Sequence, residues 1–369
     1  MTLYPKLIMD ALATVTYAGT KKNLVESGMV ADTPSINGMK VKVVLEFPRD
    51  TDPFLKSTVK AAEAAIHYHV SKDVEVQIET EFKSKPRPEV GKLLPQVKNI
   101  IAVSSGKGGV GKSTVAANLA ISLARLGYKV GLLDADIFGP SMPKMFGVED
   151  ARPYAEHVDG RDMIVPIERY GVKLLSIGFF VSPDTATLWR GGMASNALKQ
   201  LIADANWGEL DYFVLDTPPG TSDIHLTLLQ TLAITGAIIV STPQQVALAD
   251  VRKGVDMYRN DKVNVPILGL VENMAWFTPA ELPENRYYIF GREGVKNLAE
   301  QLKVPLLAQI PLVQSICESS DDGVPTAAQT DNVTATQLAY LNLAQAVVTT
   351  VNRRNREQPP TQIVGVDRS

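Results

Sequence analysis

The stretch Gly106-Lys107-Gly108-Gly109-Val110-Gly111-Lys112-Ser113-Thr114 decides the fold of this chain. It fits G-x-x-x-x-G-K-[ST], and it stands between an apolar run, Ile100 to Val103, and a helix-like run, Thr114 to Leu126. Strand, glycine loop and helix in that order form the context in which the pattern has a physical meaning. Glycines let backbone N–H groups converge on phosphate oxygens, and the helix N-terminus adds partial positive charge. Gly106, Gly108, Gly109, Val110, Gly111 and Thr114 are therefore expected to line a phosphate cradle. Lys112 would reach the β- and γ-phosphates, and the Ser113 hydroxyl would ligate Mg²⁺.

Downstream, two apolar runs end in carboxylates. Leu132-Leu133-Asp134-Ala135-Asp136 is one; Phe213-Val214-Leu215-Asp216-Thr217-Pro218-Pro219-Gly220 is the other. An acid at the C-terminal end of a strand sits where open α/β sheets bind their ligands. At this distance from a P-loop, Asp216 is expected to hold Mg²⁺ through water. Gly220 can place an N–H near the γ-phosphate, which makes Thr217 to Asp223 a candidate switch.

The same alternation runs on to the C-terminus. Val130 to Leu133, Leu174 to Ile177, Tyr212 to Leu215, Ala237 to Val240, Ile267 to Val271 and Leu306 to Ile310 are short and apolar, and longer helical stretches separate them. Such runs suit strands buried on both faces, with helices as the crossovers of a parallel sheet. The expected class is α/β: a P-loop NTPase with a mostly parallel sheet and helices on both faces. Asn332 to Val351 would close it.

The first 82 residues follow another pattern. Leu3 to Val15 has helical spacing, Leu24 to Val30 suggests a short strand, and Val41, Val43, Leu45 and Phe47 fall on one face of Met39 to Phe47. Asp52 to His69 is expected to be helical and Val74 to Phe82 a strand. The expected organisation is a small α+β domain at 1–82, a Pro/Lys-rich linker at 83–98, the nucleotide domain at 99–353, and a polar, disordered tail at 354–369.

Composition narrows the function. The 37 basic and 40 acidic side chains give a net charge of -3, so no overall field attracts nucleic acid. One cysteine, Cys317, rules out an intrachain disulfide and a multi-thiolate site within one chain, and fits a reducing cytoplasm. It reads as a small buried or half-buried residue. No run reaches the ~18 to 20 apolar residues that span a bilayer, no signal peptide is evident, and no membrane partner is expected. His67 and His69, two apart on a helix, make a poor metal pair; His157 and His225 have no partner that the sequence identifies.

Lys107, a second lysine within the loop, gives the string from Lys107 to Thr114 a resemblance to the deviant Walker A class of ParA, MinD and the nitrogenase iron protein. That resemblance implies a homodimer sandwiching ATP, with Lys107 reaching the partner's phosphates. It also implies Asp134 in the magnesium shell, Asp136 orienting the attacking water, and Asn273 and Pro311 at the adenine. Asp134-Ala135-Asp136-Ile137-Phe138-Gly139-Pro140-Ser141, Asp216 to Asp223, Val271-Glu272-Asn273-Met274 and Trp189-Arg190-Gly191 narrow the match to the Mrp/ApbC iron–sulfur cluster carriers. The first 82 residues resemble the MIP18-like domain that often precedes this ATPase, with Tyr17-Ala18-Gly19 near the place of the usual Asp-Pro-Glu. The implied function is ATP-dependent delivery of Fe–S clusters to apoproteins; the alternative is a nucleotide-switched scaffold or positioning ATPase that holds no cluster. One departure matters: Pro279 and Leu282 stand where the family usually carries Cys-x-x-Cys.

Overall fold

The computed structural model describes residues 3, 5–31, 34–47, 52–82, 93–158, 160–180, 191–279, 281–282, 284–330 and 334–364. The chain divides into two compact units, Met1–Pro88 and Glu89–Ser369. Residues 83–92 of the expected linker lie outside the described residues, as do Trp189 and Arg190.

In the first unit, strand Ser35–Asn37 turns at Gly38 and pairs antiparallel with Lys40–Phe47, which pairs in parallel with Glu75–Phe82. Helix Leu55–His69 makes the crossover that a parallel pair requires. Val41, Val43, Leu45 and Phe47 are buried on one face, as their alternation demands, against Ile8 and Leu12 of helix Pro5–Leu12 and Ala62 and Ile66 of the crossover helix. Leu24 to Val30 is not the expected strand. Asn23 Oδ1 accepts from the N–H groups of Val25 (3.1 Å) and Glu26 (2.8 Å), which curls the chain into turns. At the end of that stretch Val30 forms an isolated bridge to Leu45.

The second unit is built on eight strands: β1 Val97–Ser105, β2 Val130–Asp134, β3 Ile167–Arg169, β4 Val172–Ser176, β5 Leu210–Asp216, β6 Gly236–Ser241, β7 Ile267–Phe277 and β8 Leu306–Leu312. Their order in the sheet is β3-β4-β2-β5-β1-β6-β7-β8. All neighbours are parallel except the edge pair β3 and β4. That hairpin left no periodic mark in the sequence, because β3 is three residues long and half exposed. Helices α1 Lys112–Arg125, α2 Gly191–Ala203, α3 Asp223–Thr231, α4 Gln245–Arg259, α5 Gly294–Leu302, α6 Gln314–Asp321 and α7 Ala335–Glu357 cover the sheet.

Two boundaries correct the sequence reading. Residues 97 and 98, assigned to the linker, already belong to β1. The tail is ordered from residue 354 to 364. α7 continues to Glu357 and buries Arg354, whose guanidinium donates to the Pro359 carbonyl (2.8 Å) and Thr361 Oγ1 (2.7 Å). The Val364 N–H then donates to the Leu229 carbonyl at 3.0 Å. A composition argument misses this because the ordering rests on one buried cation and on backbone groups.

Candidate active site

β1 ends at Ser105 and α1 starts at Lys112, so the glycine loop spans the gap at the C-terminal edge of the sheet's centre. Gly109 and Gly111 both have φ of +79°, where a side chain would be strained. Space demands glycine as well. A Cβ on Gly106 would lie 2.4 Å from the backbone of Asp250 in α4, and one on Gly111 would lie 2.3 Å from Asn273 Nδ2. Ser105 Oγ donates to the Lys107 carbonyl (2.9 Å) and Asn273 Nδ2 to the Val110 carbonyl (2.9 Å). The loop is held open by contacts from outside itself.

Sheet order brings the acids to the loop. β5 lies between β2 and β1, in a register that pairs Asp216 with Asp134 and with Val103. Lys112, 6 % exposed, reaches into this edge: its Nζ lies 2.6 Å from Asp216 Oδ1, 3.7 Å from Asp136 Oδ2 and 3.2 Å from Ser113 Oγ. Asp134 is fully buried. Its carboxylate accepts from Ser176 Oγ (2.9 Å) and from the N–H groups of Met142 and Asp136 (3.2 Å each). Burial, and then the neighbouring Asp216 charge, push its pKa up to about 7. Burial also raises Asp136, and it raises Asp216 against the pull of Lys112.

Lys112, Asp134, Asp136, Ser113 and Asp216 thus meet at one place. Lys107 is half-buried in the loop, and its side chain has no hydrogen bond or ion pair among the described residues. Asn273 is not in a loop after a strand, as its sequence position suggested. It lies inside β7, 5 % exposed, with its amide N–H already engaged by the cradle, and the strand kinks just beyond it at Met274 (φ +54°). Pro311 lies buried within β8.

The switch segment is tied to the sheet. The Thr217 N–H donates to the Val103 carbonyl (3.1 Å), and that of Gly220 to the Ser105 carbonyl (2.9 Å). Beneath lies a buried hydroxyl chain. Tyr258 Oη of α4 is 2.6 Å from Ser104 Oγ, which is 2.8 Å from Thr217 Oγ1, which donates to the Val103 carbonyl at 3.0 Å. That last donation fixes the direction of the others: Tyr258 gives to Ser104, and Ser104 to Thr217. Glu272, next to Asn273 and fully buried, accepts from the Val295 N–H and from Gln309 Nε2, both at 2.7 Å, and so fastens β7 to α5 and β8.

Sequence reasoning missed Ser176, Tyr258, Glu272 and His225. His225 is the third residue of α3, is 2 % exposed and sits within range of the Lys112 charge. The signal for it was its place just after the candidate switch.

Farther out, the segment that carries Pro279 and Leu282 is a loop pinned by reciprocal backbone hydrogen bonds between Phe277 and Tyr287 (2.7 and 2.8 Å). Leu282 is exposed. Among the described residues, no three His, Cys, Asp or Glu side chains gather where they could hold a metal ion. The Cys317 side chain lies outside the described residues.

Residues 96–348 match the family described as ParA: NUBPL iron-transfer P-loop NTPase. The chain belongs to that family. Residues 6–78 match a second family, described as iron-sulfur cluster assembly protein. Similar proteins include an iron-sulfur cluster carrier protein of Synechocystis, 42 % identical over 86 % of this chain and 90 % of that protein. The iron-sulfur cluster transfer protein NUBPL of Dictyostelium discoideum is 44 % identical over 74 % of this chain and 83 % of its own. Among solved structures, a nucleotide-binding protein from Archaeoglobus fulgidus in complex with ADP is 38 % identical with a TM-score of 0.56. That match covers 64 % of this chain and 91 % of the other.

Proposed function

We propose that this chain binds and hydrolyses ATP, and uses the cycle to deliver iron–sulfur clusters to apoproteins. The observation that carries the ATPase reading is the meeting of Lys112 with Asp216 and Asp136 at the mouth of a glycine-lined loop. The cluster-delivery reading is supported by the family match and by the names of its relatives.

Loop amides from Gly106 to Thr114 receive the phosphates, and Lys112 shifts from Asp216 toward the β- and γ-oxygens. Asp136, half-buried and raised in pKa, orients the attacking water toward the γ-phosphoryl. Lys107 is free to swing, and in a homodimer it reaches the partner's phosphates, in the role of an arginine finger. Asn273 and Pro311 border the adenine end, Asn273 chiefly by holding the loop.

The residues fit magnesium. Asp216 and Asp136 face Lys112, and Asp216 Oδ2 is buried with no hydrogen-bond partner among the described residues. Ser113 and Asp216 would hold the ion, with Asp134 in its shell, directly or through water. When bound, magnesium neutralises charge developing on the phosphoryl oxygens.

The cluster is cargo. With one cysteine per chain, a homodimer supplies at most two thiolates, so four-cysteine ligation needs ligands from another protein. That observation favours a second reading, in which the ATPase is a nucleotide-switched scaffold for a cluster-bearing partner. Anaerobic reconstitution with iron and sulfide, with iron counted per dimer, separates the two. Cluster delivery predicts bound iron, or ATP-dependent transfer from a loaded donor; absence of both leaves the scaffold.

A further inference from the structure

The candidate switch ends in a helix whose first turn holds an unused donor. Ser222 and His225 form a reciprocal cap at the start of α3, in which His225 Nδ1 accepts from the Ser222 N–H at 3.2 Å; Ser222 Oγ lies 3.3 Å from the same nitrogen and can donate to it as well. An imidazole that accepts at Nδ1 carries its proton on Nε2. The neutral form is the one present, because burial and the nearby Lys112 charge lower the pKa to about 4. The ring is 2 % exposed, and Nε2 is buried with no hydrogen-bond partner among the described residues.

A desolvated N–H without an acceptor is unfavourable, and native proteins seldom keep one without a use. Its surroundings indicate the missing acceptor. Lys112 is the lysine that P-loops place on the β- and γ-phosphates, and segments following the strand-end aspartate respond to the γ-phosphate in nucleotide switches. Asp216 Oδ2, beside Lys112, is likewise buried with no hydrogen-bond partner among the described residues.

We infer that His225 is a γ-phosphate sensor: its Nε2–H donates to a terminal phosphoryl oxygen of the bound triphosphate, directly or through one water, and couples that group to the N-terminus of α3. The inference rests on the nucleotide-binding reading above. ADP has no such oxygen, so the bond forms with the triphosphate and is lost on hydrolysis. The ring's other nitrogen caps α3, so presence of the γ-phosphate is transmitted to the helix end that terminates the switch.

The test compares affinities of the full-length protein for ADP and for a non-hydrolysable ATP analogue, with magnesium present. His225→Asn offers a carbonyl that can still accept from Ser222 but removes the distal donor; His225→Gln retains a distal amide N–H. A hydrogen bond to a charged group corresponds to about tenfold or more in binding. His225→Asn is expected to lose about that much analogue affinity with ADP affinity unchanged, and His225→Gln to keep the parent's preference. Equal loss for both nucleotides, or no loss for either, overturns the inference. Failure of the parent to bind either nucleotide sinks the underlying reading instead. Nitrogen-15 NMR of the four histidines in the parent needs no variant. The His225 Nε2–H resonance should shift with the analogue and not with ADP; an identical spectrum in both states refutes the sensor.

Discussion

Replacing Gly111 by alanine tests whether the cradle is shaped by its neighbours. The new methyl group would lie 2.3 Å from Asn273 Nδ2, on a residue with φ of +79°. The left-handed conformation costs an alanine about 1–2 kcal/mol. Asn273 cannot give way cheaply: it is 5 % exposed, and its displacement breaks the 2.9 Å bond to the Val110 carbonyl, which adds about 1–2 kcal/mol. Gly111→Ala should therefore lose about 3 kcal/mol of stability in urea denaturation, together with ADP affinity. Asn273→Ala alone should lose about 1–2 kcal/mol. Because the two changes spoil the same contact, the double variant should cost no more than Gly111→Ala alone. Simple addition of the two losses, or a Gly111→Ala protein as stable as the parent, would refute the claim that Asn273 props the loop.

Lys112→Ala should abolish hydrolysis and lose about 3–5 kcal/mol of stability, because it strands Asp216; adding Asp216→Asn should recover stability in denaturant but not turnover. Lys107→Ala should keep nucleotide affinity by calorimetry while phosphate release falls about a thousandfold, and parent-like release would remove Lys107 from the mechanism. His225 is neutral when folded and takes up a proton when unfolded. Its contribution, about 3 kcal/mol, is present above pH 6.5 and lost as pH falls toward 4. Urea midpoints over that range should therefore drop more steeply for the parent than for His225→Gln. Tyr258→Phe leaves Ser104 Oγ without its donor and should cost about 1 kcal/mol, seen as a small drop in Tm.

Strands buried on both faces are easy to see in a sequence, since Ile100 to Val103 or Tyr212 to Leu215 admit no polar side. The glycine motif then fixes which strand is central. The edge hairpin and the Asn23 turn were not legible, because short exposed strands and side-chain-to-backbone bonds leave no periodic mark. At the site, the motif lysine and the acids were visible because their chemistry is tied to strand ends. Ser176, Tyr258 and Glu272 were not. Ser176 reaches Asp134 across 42 residues of chain and Tyr258 reaches Ser104 across 154, while Glu272 is fixed by groups 23 and 37 residues further on; only the sheet order brings these partners near. Asn273 was picked out by resemblance, and its grip on the Val110 carbonyl became evident only from the strand that carries it.

The hydroxyl chain from Tyr258 to the Val103 carbonyl contains no charged group and leaves no proton unassigned. Salt and moderate changes of pH should therefore pass it by. Each oxygen's orientation depends on the next, so Thr217 cannot turn away alone; the row must rearrange together or stay as it is. Such a catch favours two discrete settings of the loop after Asp216 over a continuum.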